Sequence, residues 1–291
     1  MQTIAKTTDY VVVKPGNWGR KLLAVVLILC IVFIINAFRT GDIAWQYVSM
    51  YLFSAPVLKG VVNTIIMTFF AMILGVALGI LAAVMRLSDN KVLQNVALGY
   101  IWLFRGLPTL LLLLLWFNLA LIFPNISLFG FFPIKTIDIM TPFFAALCGL
   151  GIQQGAYTAE VVRAGITSID SGQLEAAQSI GMTKRKAMLR IILPQAMRVI
   201  IPPIGNETIG MVKLTSLASV IQYAEVLRSV ENIYYNNSRV IELLLVAAIW
   251  YMVIVTILSI IQIYVERHFS KGWQGSKQTR TQDNQTIEGE A

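Results

Sequence analysis

Residues 60–85 read GVVNTIIMTFFAMILGVALGILAAVM, twenty-six positions without an acidic or basic side chain. A helix needs about 20 apolar residues to cross the hydrocarbon core of a bilayer. There it must satisfy its own backbone polar groups, which a helix does internally. The stretch therefore reads as a membrane-spanning helix. It carries Gly75 and Gly79 four residues apart, and Gly151 and Gly155 repeat the pattern further on. Small residues at this spacing let helix backbones approach closely, within one subunit or between two copies.

Working outward, uncharged runs recur at 22–38, 106–134, 139–159 and 243–265. Pro124 and Asn125 end the spanning part of the 106–134 run and leave an aromatic-rich loop around Phe129. Residues 199–222 are apolar except for Glu207 and Lys213. The expectation is an all-α polytopic membrane protein with about six spans. The first run follows a long basic leader and ends Asn36-Ala37-Phe38-Arg39 without a small-x-small cleavage pattern, so it reads as a retained helix. Residues 42–58 read as a shorter interfacial helix.

Composition agrees. The chain is 57% hydrophobic and 13% charged, with a mean hydropathy of +0.71, whereas soluble domains carry about 25% charged residues. A cytoplasmic enzyme and a disordered chain are both excluded. Cys30 and Cys148 sit in apolar runs, and His268 has no His or Cys beside it. No disulfide framework, metal site or cofactor is expected.

The net charge of +8 would suit nucleic acid in a soluble protein, but here its distribution decides. Six spans put both termini on one side. That side holds seventeen Lys and Arg residues; the other holds Arg39, Lys59, Lys135, Arg228 and Arg239, with Lys213 in the membrane. Basic residues accumulate in cytoplasmic loops, so both termini are expected in the cytoplasm and no nucleic-acid partner is expected. The polar stretch 271–291 reads as a disordered tail.

One sizeable cytoplasmic loop, about 165–198, reads as two short helices. Asp170 or Ser171 caps the first, which puts Leu174, Ala177 and Ile180 on one face, and Gly181 ends it. Thr183 caps the second. It sets Ala187, Met188, Ile191 and Ile192 apart from Lys184, Arg185, Lys186 and Arg190, and Pro194 ends it. On composition alone this is either an amphipathic connector on anionic lipid headgroups or a docking site for a cytoplasmic partner.

The residues themselves decide between these. Glu175-Ala176-Ala177-Gln178-Ser179-Ile180-Gly181-Met182, followed by Ile192-Leu193-Pro194-Gln195-Ala196, resembles the EAA loop of ATP-binding-cassette (ABC) importer permeases. Phe104-Arg105-Gly106-Leu107-Pro108, Ala156-Tyr157-Thr158-Ala159-Glu160, Gly172-Gln173-Leu174 and Gly205-Asn206-Glu207 with Lys213-Leu214-Thr215-Ser216 look like the polar-amino-acid branch of that family. Leu214 departs from it, since a polar residue more often follows the lysine there.

The resemblance implies a type I (MetI-like) five-helix permease core over 59–267, with the coupling loop at about 170–198. Residues 1–21 would be an N-terminal segment, 22–58 an extra helix with its interfacial helix, and 268–291 a tail. It implies that Gly172, Gln173, Glu175, Ala176, Ala177, Gly181, Met182, Leu193, Pro194 and Gln195 meet the ATPase. The implied partners are two cytoplasmic ATP-binding subunits, a second permease copy or paralogue, an extracytoplasmic solute-binding protein, an amino acid and the lipid of a bacterial inner membrane. The chain has no Gly-x-x-x-x-Gly-Lys-Ser/Thr phosphate loop, so ATP hydrolysis is expected on another polypeptide.

Glu207 and Lys213 are ionisable groups placed at mid-span, where such groups face a cavity or a partner. Six residues apart, they lie roughly 120° apart around a straight helix and form no same-face pair. Pro202, Pro203, Gly205 and Gly210 surround them and point to a broken or tightly packed helix. They are read either as structural pairs to other helices or as the lining of a path for a zwitterion, with Thr215, Ser216, Gln154 and Asn63 as further polar candidates. The resemblance favours Glu207 as a substrate contact. Glu160 and Arg163, at i and i+3, read as a local ion pair.

Two other readings remain. An ion-coupled secondary transporter would be expected to carry an internal repeat, which the sequence lacks. A receptor or scaffold with a docking loop would not require charges at mid-membrane.

Overall fold

The computed structural model describes residues 18–128 and 131–270. The elements run α1 (Trp18–Thr40), α2 (Trp45–Leu52), α3 (Ala55–Arg86), α4 (Lys91–Gly106), α5 (Thr109–Phe117), a 3-10 turn (Leu119–Leu121), β1 (Asn125–Leu128) and β2 (Phe131–Lys135). There follow α6 (Thr136–Ile139), α7 (Pro142–Thr167), α8 (Ser171–Ser179), α9 (Lys184–Ala187), a π turn (Met188–Ile192) and α10 (Leu193–Leu214). A 3-10 segment (Thr215–Ile221), α11 (Val226–Asn237) and α12 (Val240–Ser270) complete the order. The expected tail at 271–291 and leader before Trp18 lie outside the described residues, as does Phe129.

Contacts divide the chain into residues 1–45 and 46–291. In the first unit, α1 is a 23-residue helix with no buried residue, which suits a span surrounded by lipid. The second unit is a helical bundle.

Four helices among the described residues are long and apolar enough to cross a membrane: Trp18–Thr40, Ala55–Arg86, Lys184–Ile221 and Val240–Phe269. The remaining two expected spans take other forms. Where a single span over 106–124 was expected, α4 and α5 meet at 101°, so helix begins already at Lys91. The bend falls at Leu107-Pro108, both extended, because a residue before proline is driven out of the α region. Gln153 Nε2 of α7 donates to the Leu107 carbonyl at 3.0 Å, satisfying a group exposed by the bend.

The span expected at 139–159 is α7, 26 residues or about 39 Å long. Gln153, Gln154 and its many small residues make it less apolar than those four helices. It needs no apolar coat over most of its surface, since α3, α4, α5 and α10 surround it and fourteen of its residues are buried.

The small residues work inside this subunit. A Cβ added at Gly75 would lie 2.6 Å from Cγ of Gln154 and 2.8 Å from its Cβ. At Gly79 it would lie 2.6 Å from Cβ of Thr158. Helices α3 and α7 therefore touch backbone to side chain along this stripe. Gly151 and Gly155 return the arrangement against Leu74 and Leu78 of α3.

Three further expectations are corrected. Helix α3 starts at Ala55, with Pro56 in its first turn, so α2 is only eight residues long. The loop expected around Phe129 is flanked by an antiparallel hairpin, with Asn125 opposite Lys135 and Ile126 opposite Ile134. Pro194 does not end a helix: α9, the π turn and α10 run on into one another. Proline lacks the N–H and crowds the preceding turn; the wider π turn just before Pro194 accommodates it. Gln195 Nε2 donates to the Ile191 carbonyl at 2.9 Å in the same turn.

Candidate functional site

A half-buried carboxylate, that of Glu207, lies where α10 packs on α7. Glu207 of α10 accepts at Oε2 from Gln154 Nε2 at 2.7 Å and from Thr158 Oγ1 at 3.1 Å. Gln154 and Thr158 lie one turn apart on α7 and are themselves joined at 3.1 Å; both are buried. Gly75 and Gly79 of α3 lie behind these two side chains, so close packing on one face of α7 sets the donors on the other. Oε1 of Glu207 accepts no hydrogen bond from any described residue, and no Lys or Arg among the described residues forms an ion pair with Glu207. Glu207 is half-buried. One oxygen is held and the other is available to a cation.

The other sequence candidates do not converge on this carboxylate. Lys213 is exposed and makes no contact with Glu207. Thr215 is buried and donates to the Val212 carbonyl at 2.6 Å, while Ser216 donates to the Lys213 carbonyl at 2.7 Å; both bonds are local to the end of α10. Asn63 belongs to another part of the molecule: its Nδ2 donates to the Ala224 carbonyl at 2.7 Å, and its own carbonyl accepts from Tyr223 Oη at 3.0 Å. Thr158, which the sequence reading did not single out, joins the site. Only its position one turn after Gln154 could have signalled it.

Below Glu207, α10 contains Pro202 and Pro203, whose missing N–H groups interrupt the helix ladder. Gln262 of α12 donates to the Pro202 carbonyl at 2.8 Å and to Glu266 Oε1 at 2.9 Å. A Cβ at Gly205 would lie 1.9 Å from Gln262 Oε1, so the absent side chain makes room for this contact. Glu160 and Arg163 form the expected local pair at 2.8 Å.

The helical arm at the far end of α7 follows local rules. Asp170 accepts from Gly172 N at 2.7 Å and caps α8. The arm turns at Gly181, φ +84°. There Met182 N–H donates to the Ala177 carbonyl and Gly181 N–H to that of Gln178, the paired closure of a glycine-terminated helix. Thr183 caps α9. Ala177, Ala187 and Ile192 are buried and Leu174, Met182, Leu193 and Gln195 are half-buried, while Gly172, Gln173, Glu175, Ala176 and Pro194 are exposed. Ile180, expected on one face with Leu174 and Ala177, is 78% exposed. Lys184 Nζ bridges to Asp89 at 3.1 Å, tying the arm to the turn after α3.

At the opposite end, Glu225 caps α11 and is fully buried. Its two oxygens accept from Leu227 N at 2.8 Å and Arg228 N at 2.7 Å, and Tyr251 O–H also donates to it. Burial outweighs these donors and pushes its carboxyl up to about 7.

A helical membrane bundle with a half-buried carboxylate held between α7 and α10 and an exposed helical arm at one end suits the membrane-embedded subunit of a transport system. The chain belongs to the family of binding-protein-dependent transport system inner membrane components, which matches residues 75–271. It is 43% identical over 260 residues to the arginine transport system permease protein ArgU of Corynebacterium glutamicum, covering 89% of this chain and 81% of that protein. It is 37% identical over 218 residues to the L-cystine transport system permease protein TcyB of Bacillus subtilis, covering 74% and 88%. Among solved structures it is similar to a chain of an amino acid ABC transporter crystallised with histidines, with a TM-score of 0.66, 36% identity, and coverage of 76% of this chain and 98% of that one. An inward-facing methionine transporter MetNI shares the fold at a TM-score of 0.57 and 16% identity, covering 77% of this chain and 98% of that one. The relatives are permease components of transport systems rather than enzymes.

Proposed function

We propose that this subunit carries a polar, cationic L-amino acid across a bacterial inner membrane by alternating access, with Glu207 as the intramembrane contact for the positive side chain. The observation that carries the reading is the divided carboxylate: Oε2 is held by Gln154 and Thr158, and Oε1 is left unbonded. A carboxylate oriented on one side binds an ammonium or guanidinium without first reorganising its own partners. The arginine system among its relatives is in keeping with a cationic substrate.

In this reading, exposed Gly172, Gln173, Glu175 and Ala176 present the arm to one of two cytoplasmic ATP-binding subunits. Ala177, Gly181 and Met182 hold its shape, and Leu193, Pro194 and Gln195 pass its movement into α10. The arm and both termini face the cytoplasm in this reading, which the distribution of Lys and Arg supports. The opposite end, with α11, receives the amino acid from an extracytoplasmic binding protein. A second copy or a paralogue completes the pore. Lys213 and Ser216 line its outer mouth, where Lys213 meets a carboxylate; buried Thr215 supports the helix end beneath them, and Asn63 fastens the same end. The domain boundaries expected above, with a permease core over 59–267, belong to this proposal.

The test is uptake of radiolabelled arginine into proteoliposomes containing the permease, its ATPases and the binding protein. Glu207→Gln retains the shape and the hydrogen-bonded neighbours and is expected to abolish uptake while the complex still assembles. Normal uptake kinetics in that variant would overturn the assignment.

A further inference from the structure

An open cleft of about 420 Å³ lies at the α11 end of the bundle, among α2, the first turns of α3 and α11. Its floor is apolar, from Pro56, Ala224 and Ile233, and its walls carry Tyr51, Lys59, Ser229, Asn232, Asn236 and Asn237. The walls offer amide and hydroxyl groups of both kinds, with Asn236 Nδ2 donating to the Asn232 carbonyl at 2.7 Å. Asn237 Nδ2 donates to Tyr51 Oη at 3.3 Å, which turns the tyrosine's own hydrogen away from it. Asn237 Oδ1 is taken by Arg239 N at 3.0 Å. The Asn232 side-chain amide and Ser229 Oγ have no hydrogen-bond partner among the described residues.

The charges complete the picture. Arg228 is paired with Glu231 at 3.4 Å and also bonded to Gln222. Arg239 is paired with Glu242 at 3.8 Å and stacks on Tyr47 at 4.6 Å. Lys59 is the one basic residue of the cleft wall, and it has no ion pair among the described residues. An unpaired lysine ammonium beside the Asn232 amide and the Ser229 and Tyr51 hydroxyls, above apolar Pro56 and Ile233, is complementary to a carboxylate carried on a short aliphatic stem.

The cleft is also preformed. The buried carboxylate of Glu225 caps α11 and is bonded to Tyr251 of α12. Gly60 allows α3 to approach so closely that an added Cβ would lie 2.5 Å from Ser229 Oγ. Helix α11 is thereby clamped to both α12 and α3, and the cleft wall need not order on binding.

We infer that this cleft is a docking socket for an Asp or Glu side chain projecting from the extracytoplasmic binding protein, with Lys59 as its electrostatic centre. The inference rests on the reading that the α11 end faces outward and that a binding protein delivers the substrate.

The experiment measures ATP hydrolysis by the complete transporter in proteoliposomes as purified binding protein is titrated in, at low and at moderate salt. Lys59→Glu is expected to raise the binding-protein concentration for half-maximal stimulation about tenfold or more and to flatten its salt dependence, because reversing a rim charge acts on association. Lys59→Arg is expected to remain within about threefold of the wild type, because it keeps the charge. Asn232→Asp, which adds a repelling charge to the same wall, is expected to behave like Lys59→Glu and carries the test if the latter does not assemble.

An unchanged half-maximal concentration in Lys59→Glu and Asn232→Asp, with the wild type still stimulated, overturns the socket and leaves the proposed function standing. So does a Lys59→Arg variant as impaired as Lys59→Glu. A Lys59→Glu effect that needs no binding protein and follows the fraction of anionic lipid in the vesicle assigns the cleft to a lipid headgroup and overturns the inference. Absence of stimulation in the wild type overturns the delivery reading beneath it.

Discussion

Glu207 and Gln154, fifty-three positions apart in the chain, meet through a 2.7 Å hydrogen bond between α10 and α7. The bond fixes which oxygen of the carboxylate faces the protein and which faces the space beyond it, and Thr158 adds a second donor to the same oxygen at 3.1 Å. Thr158→Val keeps the branched shape packed against Gly79 and deletes that donor together with the bond Thr158 Oγ1 accepts from Gln154 Nε2. A hydrogen bond to a charged group contributes about 1.5–3 kcal/mol, so loss of orientation should raise the KM for uptake by roughly ten- to a hundredfold with little change in assembly. An unchanged KM would mean that Gln154 alone orients Glu207.

Close packing behind the site makes a second prediction. At Gly75 an added Cβ meets Cγ and Cβ of Gln154 at 2.6 and 2.8 Å, atoms near the backbone that have little freedom to move. Gly75→Ala should therefore part α3 from α7 and cost about 1–3 kcal/mol by overpacking, while dragging Gln154 away from Glu207. Both thermal stability in detergent and uptake should fall. Gly210→Ala, where an added Cβ meets nothing within 4 Å, is the matched control and should leave both nearly unchanged.

These two cases mark how far the sequence could be read. Helices α1, α3 and α12 were legible because lipid-facing positions must be apolar whatever else the helix does, and an uncharged run records that directly. Helix α7 was legible as a span although its polarity disqualifies it by hydropathy, because its runs around Gly151 and Gly155 are small rather than charged. The α4–α5 bend was missed as a bend. Leu107-Pro108 marked the place, but whether a proline turns the chain or merely starts a helix depends on what donates to the freed carbonyl, here Gln153 from another helix. The same reasoning covers Pro194, where a π turn forms instead of a helix end. At the site, Glu207 stood out because charge at mid-span is costly. Thr158 did not, since a threonine in a helix is ordinarily satisfied by its own preceding turn. Only the packing of α10 against α7 gives it Glu207 as an acceptor.

The arm offers a test that separates docking from folding. Glu175 is exposed on α8 and makes no side-chain hydrogen bond or ion pair among the described residues, so Glu175→Lys should leave stability within about 0.5 kcal/mol. If α8 seats on an ATPase subunit, the reversed charge should cause the ATPase to be lost when the permease is purified in detergent. Retention of the ATPase would remove Glu175 from the contact.

The last prediction concerns acidity at the α11 end. Glu225 is buried, and its carboxyl is raised from an ordinary value near 4.5 to about 7. Loss of hydration is the largest cause; the bonds from Tyr251, Leu227 and Arg228 oppose it, and Glu231 adds a small repulsion. A group that holds its proton more tightly in the folded state stabilises that state fully below pH 4.5, and the contribution is lost as pH rises towards and through 7. A shift of this size corresponds to an effect on the order of 3 kcal/mol. The melting temperature of the detergent-solubilised protein should therefore fall between pH 5 and pH 8. In Glu225→Gln, which cannot ionise but can still accept at the α11 cap, that slope should disappear. Since Arg228 and Glu231 remain paired in both proteins, a slope of equal steepness in the variant would assign the pH dependence to some other group.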